Sequence, residues 1–205
     1  MPRERTQREA DFLVRALAPP PSRVLDVCCG LGRHMHPLVE RGYDCVGVEV
    51  EPGIAAEARA SGLDVRELDI RDLRGIEGDF EGVLSMWASF GWFDEETNAF
   101  VLGAMCAKVR PGGVLVLDVW MPEFFATRQG VRQIRTGIRE SKVVRDGRLY
   151  VEYNYGERFD WRLYEPDELV ALSRLELVTA CSEWNESQRP SPDVPRYQLV
   201  LAKRA

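Results

Sequence analysis

Short apolar runs at Val24–Val27, Cys45–Val48, Leu63–Leu68, Phe80–Met86 and Val114–Val119 alternate with segments whose apolar residues recur at helical spacing. The alternation predicts an α/β domain with strands buried on both faces. The first helix spans Glu4 to Leu17, places Phe12, Leu13, Ala16 and Leu17 in helical register and stops at Pro19-Pro20-Pro21. Further helices are expected over Gly32–Arg41, from Pro52 to about Ala60, and over Asp94–Val109, whose first turn carries the acids that the helix dipole favours. Beyond Met121 the pattern changes. Asp146-Gly147 between β-forming residues predicts a hairpin over Val143–Val151, with Glu152-Tyr153-Asn154-Tyr155 continuing its second strand. Strands Leu175–Cys181 and Arg196–Ala202 close the chain.

The most informative stretch is Val24-Leu25-Asp26-Val27-Cys28-Cys29-Gly30-Leu31-Gly32-Arg33-His34, a buried strand ending in a glycine-bearing turn. A strand, a turn and a helix start place several backbone N–H groups around one small space, which suits a cofactor. A dinucleotide fingerprint needs a third glycine, but Met35 or Arg33 stands there, and a pyrophosphate would crowd the anionic Asp26. A nicotinamide oxidoreductase is therefore opposed. A ligand with a cationic end explains the acid better.

Asp26-Val27-Cys28-Cys29-Gly30-Leu31-Gly32 resembles the Asp-x-Gly-x-Gly-x-Gly motif of class I S-adenosylmethionine-dependent methyltransferases, with Cys28 in the first glycine slot. That position then needs a backbone that tolerates a side chain. The Lys108-Val109-Arg110-Pro111-Gly112-Gly113 turn and the Tyr164-to-Leu169 helix start also resemble the family. The resemblance implies a doubly wound, mostly parallel seven-stranded sheet with helices on both faces and a small antiparallel β insertion after strand 5. It also implies S-adenosylmethionine as cofactor.

The cofactor-binding set drawn from the residues and the resemblance is Asp26, Cys28, Cys29, Gly30, Gly32, Glu49, Val50, Asp69, Ile70, Met86 and Trp87. Glu49 ends the second strand about 20 residues past the turn, where doubly wound folds put the ribose-binding acid; Glu51 is its competitor. Asp69 accepts from the adenine amino group beside Ile70, or simply caps the next turn. The aromatic loop Trp87 to Phe93 walls the transfer site or packs under the next helix. Cys29 is a reactive thiol at a helix start or a small residue filling space behind the turn.

Methyl transfer from a sulfonium is a direct displacement, so the protein chiefly aligns an acceptor lone pair and excludes water. Tyr153, Tyr155 and Tyr164 are the catalytic candidates, followed by Asp94, with His34 and His36 better read as packing or capping residues. Tyr153 and Tyr155 alternate and so share one strand face, which lines the pocket or the core. Four segments organise the single domain. Residues 1–20 form a helix that is either a lid or packed on the sheet edge, and 21–120 the cofactor core. Residues 121–161 form the β insertion and substrate lid, and 162–205 the last helix and the closing strands.

At 205 residues with 45% hydrophobic and 29% charged content, the chain can bury a substantial core. A net charge of −6 argues against nucleic acid as partner. Arg128, Arg132, Arg135 and Arg139 form either a basic patch or a solvated face, the latter being the usual behaviour of such runs. Five cysteines in apolar runs, with no metal-ligand spacing, fit a reducing cytoplasm. Neither a signal core nor a membrane-spanning run is visible. The expected partner is a small-molecule acceptor methylated on N or O, and the expected state a monomer or homodimer. A peptide acceptor and a non-catalytic cofactor-binding protein are the alternatives.

Overall fold

The computed structural model describes residues 3–205; Met1 and Pro2, the start of the expected N-terminal segment, lie outside them. Seven strands form the main sheet: β1 (Arg23–Val27), β2 (Asp44–Glu49), β3 (Asp64–Glu67), β4 (Phe80–Ser85), β5 (Val109–Trp120), β10 (Glu176–Ser182) and β11 (Arg196–Ala202). Their order is β10-β11-β5-β4-β1-β2-β3. The first five run parallel, while β11 lies antiparallel to both β5 and β10. This is the expected fold.

Two apolar layers sandwich the sheet. On one face α1 (Arg3–Ala16), α2 (Met35–Val39) and α3 (Pro52–Ala60) bury Phe12, Leu13, Leu38, Ala55 and Ala58 with Val24, Leu84, Val116 and Val200. On the other, α4 (Glu95–Lys108) and α6 (Pro166–Ser173) bury Leu102, Met105 and Leu169 with Leu25, Val83 and Leu117. Helix α1 thus packs on the first of these faces, with Phe12 and Leu13 in one core with Val24 and Leu84. Leu17, just past the helix, lies so close to β4 that a Cβ on Gly82 would come within 2.1 Å of its Cδ2.

Several boundaries differ from the sequence pattern for identifiable reasons. The helix expected over Gly32–Arg41 is regular only in α2, because Gly32 has φ +75° and closes a turn instead of propagating a helix. The insertion is larger than one hairpin. A short helix α5 (Pro122–Ala126) leads into an antiparallel sheet of β6 (Gly130–Arg135), β7 (Ile138–Arg145), β8 (Arg148–Tyr153) and β9 (Arg158–Arg162), in that order. Strand β6 escaped notice because every residue in it is exposed and it carries no buried alternation. Strand β8 ends at Tyr153, and a turn closed by Gly156 N–H to Tyr153 O takes Asn154 and Tyr155 off the strand. The insertion has its own small core around Phe125, Leu149, Val151 and Leu163. Among the described residues no helix is long and apolar enough to cross a membrane.

Candidate active site

The carboxyl ends of β1, β2 and β4 lie side by side at one end of the sheet, where open α/β sheets bind ligands. Asp26 lies in β1 between Gly47 of β2 and Leu84 of β4. It is wholly buried, and neither carboxylate oxygen has a hydrogen-bond partner. Burial raises its carboxyl pKa to about 6, against the pull of His34 and Arg33. A buried carboxylate without a partner is costly.

The turn after β1 is built for close approach. Cys28, Gly30 and Gly32 all have positive φ, at 60°, 57° and 75°, so the odd cysteine is held in a conformation that glycine adopts freely. A Cβ on Gly32 would lie 2.0 Å from Leu63 Cδ1. Gly30 N–H donates to Glu49 Oε2 at 3.0 Å, and Glu51 N–H to Glu49 Oε1 at 2.9 Å. Glu51 itself caps α3 by accepting from Ile54 N–H. Burial, with Glu49, Asp26 and Asp69 nearby, raises the Cys28 thiol to about 12, and burial raises Cys29 as well. Cys29 fills the space over Gly47, where a Cβ would come within 2.6 Å of its sulfur. Both thiols stay protonated at neutral pH.

Val50, just past β2, is exposed, whereas Ile70 and Met86 are buried. Asp69 caps the 3-10 turn Ile70–Gly75, accepting from Arg71 N–H at 2.9 Å and pairing with the Arg71 guanidinium. After β4, Trp87 and Ala88 both sit in left-handed backbone, at φ 62° and 56°. Asp118 of β5 holds them there: its Oδ2 accepts from Trp87 N–H at 2.9 Å and its carbonyl from Ala88 N–H at 2.8 Å. Asp118 is itself buried, paired with Arg196 at 2.5 Å and accepting from Gln198 at 2.8 Å. Over the half-exposed Trp87 ring lie the guanidinium groups of Arg196 (4.5 Å), Arg5 (4.7 Å) and Arg33 (5.1 Å).

Helix α1 closes this cluster. Its Glu9, fully buried, accepts from Arg5 Nε at 3.0 Å, pairs with Arg33 and lies 3.1 Å from His34 Nε2. Burial opposes the charge, but these three partners bring its pKa down to about 2. Arg33 Nη2 remains buried without an acceptor.

A family described as a methyltransferase domain matches residues 24–113. The fold superposes on an S-adenosylmethionine-dependent methyltransferase from Clostridium acetobutylicum with a TM-score of 0.82 at 15% identity, covering 98% of this chain and 92% of that one. Residues 24–113 are thus similar to a methyltransferase domain, and the fold is the one that this solved methyltransferase has. Among curated relatives of this methyltransferase domain is the dTDP-3-amino-3,4,6-trideoxy-alpha-D-glucopyranose N,N-dimethyltransferase of Streptomyces venezuelae. It is 35% identical over 145 residues, covering 66% of this chain and 60% of that one. Another is the glycine/sarcosine N-methyltransferase of Parasynechococcus marenigrum, 34% identical over 123 residues and covering 56% and 44%. The chain spans about half the length of these two relatives.

The methyltransferase fold does not bring the three candidate tyrosines together. Tyr164 is buried in the main core with its ring 5.3 Å from Phe90, and its carbonyl accepts from Tyr197. Tyr155 is exposed, its hydroxyl on Glu157. Tyr153 lines a cavity under the insertion, and its ring stacks on Tyr155 at 5.3 Å. Asp94 caps α4, His34 is held by Glu9, and His36 lies 3.2 Å from Ser61 Oγ. Sequence reasoning missed Glu9, Arg5, Asp118 and Arg196. An acid at a buried helical position was the one available signal for Glu9; Asp118 and Arg196 meet only through the β5–β11 pairing.

Proposed function

We propose that this protein transfers a methyl group from S-adenosylmethionine to an amine nitrogen of a small-molecule acceptor. One observation carries the reading: across the glycine turn stand a buried carboxylate, Asp26, and a buried guanidinium nitrogen, Arg33 Nη2, each without a partner. Together they complement an α-amino acid zwitterion. The ammonium group would sit at Asp26 and the carboxylate at Arg33, as the methionine end of this cofactor requires. The N-methylating relatives support nitrogen as the acceptor atom.

The remaining positions fit the same ligand. Glu49 spends one lone pair of each oxygen on backbone N–H groups, leaving one apiece for the ribose hydroxyls. Asp69 Oδ2 accepts from Arg71 and keeps a lone pair for the adenine amino group, with Ile70 beside it. Bound there, S-adenosylmethionine supplies an electrophilic methyl group for direct displacement. Trp87, pinned by Asp118, walls the acceptor side, and α1 keeps water from the crevice. Asp118 already accepts from Arg196, Gln198 and Trp87, so its role is to position that wall and not to take a proton.

Two tests separate cofactor from chemistry. Arg33→Met is expected to weaken S-adenosylhomocysteine binding about tenfold or more, while leaving 5′-methylthioadenosine, which lacks the amino acid, near its native affinity. Equal weakening of both ligands contradicts the zwitterion site. Incubation with S-adenosylmethionine and a panel of amino sugars and small amines is expected to give S-adenosylhomocysteine and a mass gain of one methyl group. Cofactor binding with no turnover across the panel contradicts the enzyme reading.

A further inference from the structure

Between the insertion sheet, α5 and the end of β5 lies a cavity of about 370 Å³ walled by Trp120, Phe124, Phe125, Tyr153 and Trp161. Its charged lining is one carboxylate and two cations. Glu140, buried, accepts from Arg132 Nε at 2.6 Å, lies 3.1 Å from Lys142 Nζ and accepts from the Tyr153 hydroxyl at 3.3 Å. The cluster carries one surplus positive charge. Arg132 reaches Glu140 through Nε, which leaves both terminal nitrogens of its fork for another acceptor.

The walls have unmet needs of the same sign. The indole N–H groups of Trp120 and Trp161 are buried with no acceptor among the described residues. Their rings stand 6.1 Å apart and nearly perpendicular, an arrangement that presents a face and an edge to a flat guest. The cavity also adjoins the transfer crevice: Trp120 pairs with Arg196 across β5 and β11, and the Arg196 guanidinium lies over Trp87. An ion pair serving only the insertion's stability would need neither the surplus cation nor a cavity beside it.

We infer that this cavity binds the body of the methyl acceptor, and that the acceptor carries an oxyanion, phosphate or carboxylate, on Arg132 and Lys142 with a flat ring against Trp120 and Trp161. The inference rests on the methyltransferase reading above and names the acceptor class for it. Glu140 is then a positioning residue that aims the two cations.

The test titrates the full chain, saturated with S-adenosylhomocysteine, with thymidine diphosphate, 4-aminobenzoate and thymidine, following tryptophan fluorescence and heat. At least one anionic probe is expected to bind, and its affinity to fall tenfold or more in Arg132→Gln/Lys142→Gln while S-adenosylhomocysteine affinity is kept. The phosphate and carboxylate probes distinguish the two sources of the oxyanion, and thymidine is expected to bind at least tenfold more weakly than its diphosphate. Failure of both anions to bind, or native affinity in the double variant, overturns the inference. Should the double variant not fold, Arg132→Gln alone, with a side chain 66% exposed, reads the same loss. If the native chain does not bind S-adenosylhomocysteine, the methyltransferase reading fails separately, and the anionic probes are read without it.

Discussion

Cys28, Gly30 and Gly32 share a left-handed backbone within five residues; a Cβ on Gly30 would meet nothing within 4 Å, whereas one on Gly32 would run into Leu63. Gly32→Ala adds a strained φ and a contact with Leu63, so it is expected to cost about 1–3 kcal/mol in urea denaturation. Asp26 makes a prediction in pH. With a folded pKa raised to about 6, the carboxyl is protonated below that value and must give up its proton to accept a ligand ammonium. S-adenosylhomocysteine affinity is therefore expected to rise as pH increases toward 6 and to level off above it, and Asp26→Asn to flatten the profile. Calorimetry between pH 5 and pH 8 reads this window. At this scale the chain was legible where chemistry is local: Asp26, Gly30, Gly32 and Glu49 stand out because a motif spaces them. Glu9 and Asp118 do not, since nothing near them in sequence names their partners.

Helix α1 shows how an element can be legible in outline and not in role. Its apolar stripe is plain in the sequence, and Phe12 and Leu13 bury it as expected. What the stripe cannot show is that Glu9, on the same helix, ties Arg33 and His34 of the glycine turn to Arg5. Removing that carboxylate leaves two guanidinium groups without their buried partner, so Glu9→Ala is expected to destabilise the fold by about 3 kcal/mol and to raise hydrogen exchange in α1. The sign in pH follows from a folded pKa near 2, below the ordinary 4.5. The stabilisation is complete above 4.5 and is lost as the pH falls toward 2, so the unfolding free energy of the variant, read by urea denaturation, is expected to depend less on pH in that window. The insertion was legible in its place after β5 and in the hairpin around its Asp146-Gly147 turn, but not in its full extent. Fully exposed β6 and the turn that removes Tyr155 from β8 lack the alternation by which a strand declares itself.

At the scale of the molecule, the parallel strands and their crossovers bring the glycine turn, Glu49 and Asp69 to one end of the sheet. The antiparallel β11 brings Arg196 to Asp118 beside Trp87. The proposed cofactor groups come from the first half of the chain, where motif spacing makes them readable. The proposed acceptor side draws on α1, β5, the insertion and β11, pieces far apart in sequence, and for that reason it was the least legible part. The cofactor site is probed by calorimetric titration of the native chain and of Glu49→Ala with S-adenosylhomocysteine. The predicted result is binding by the native protein that weakens by about 1.5–3 kcal/mol when the charged acceptor is lost. No binding by the native protein, or unchanged binding by Glu49→Ala, would contradict it.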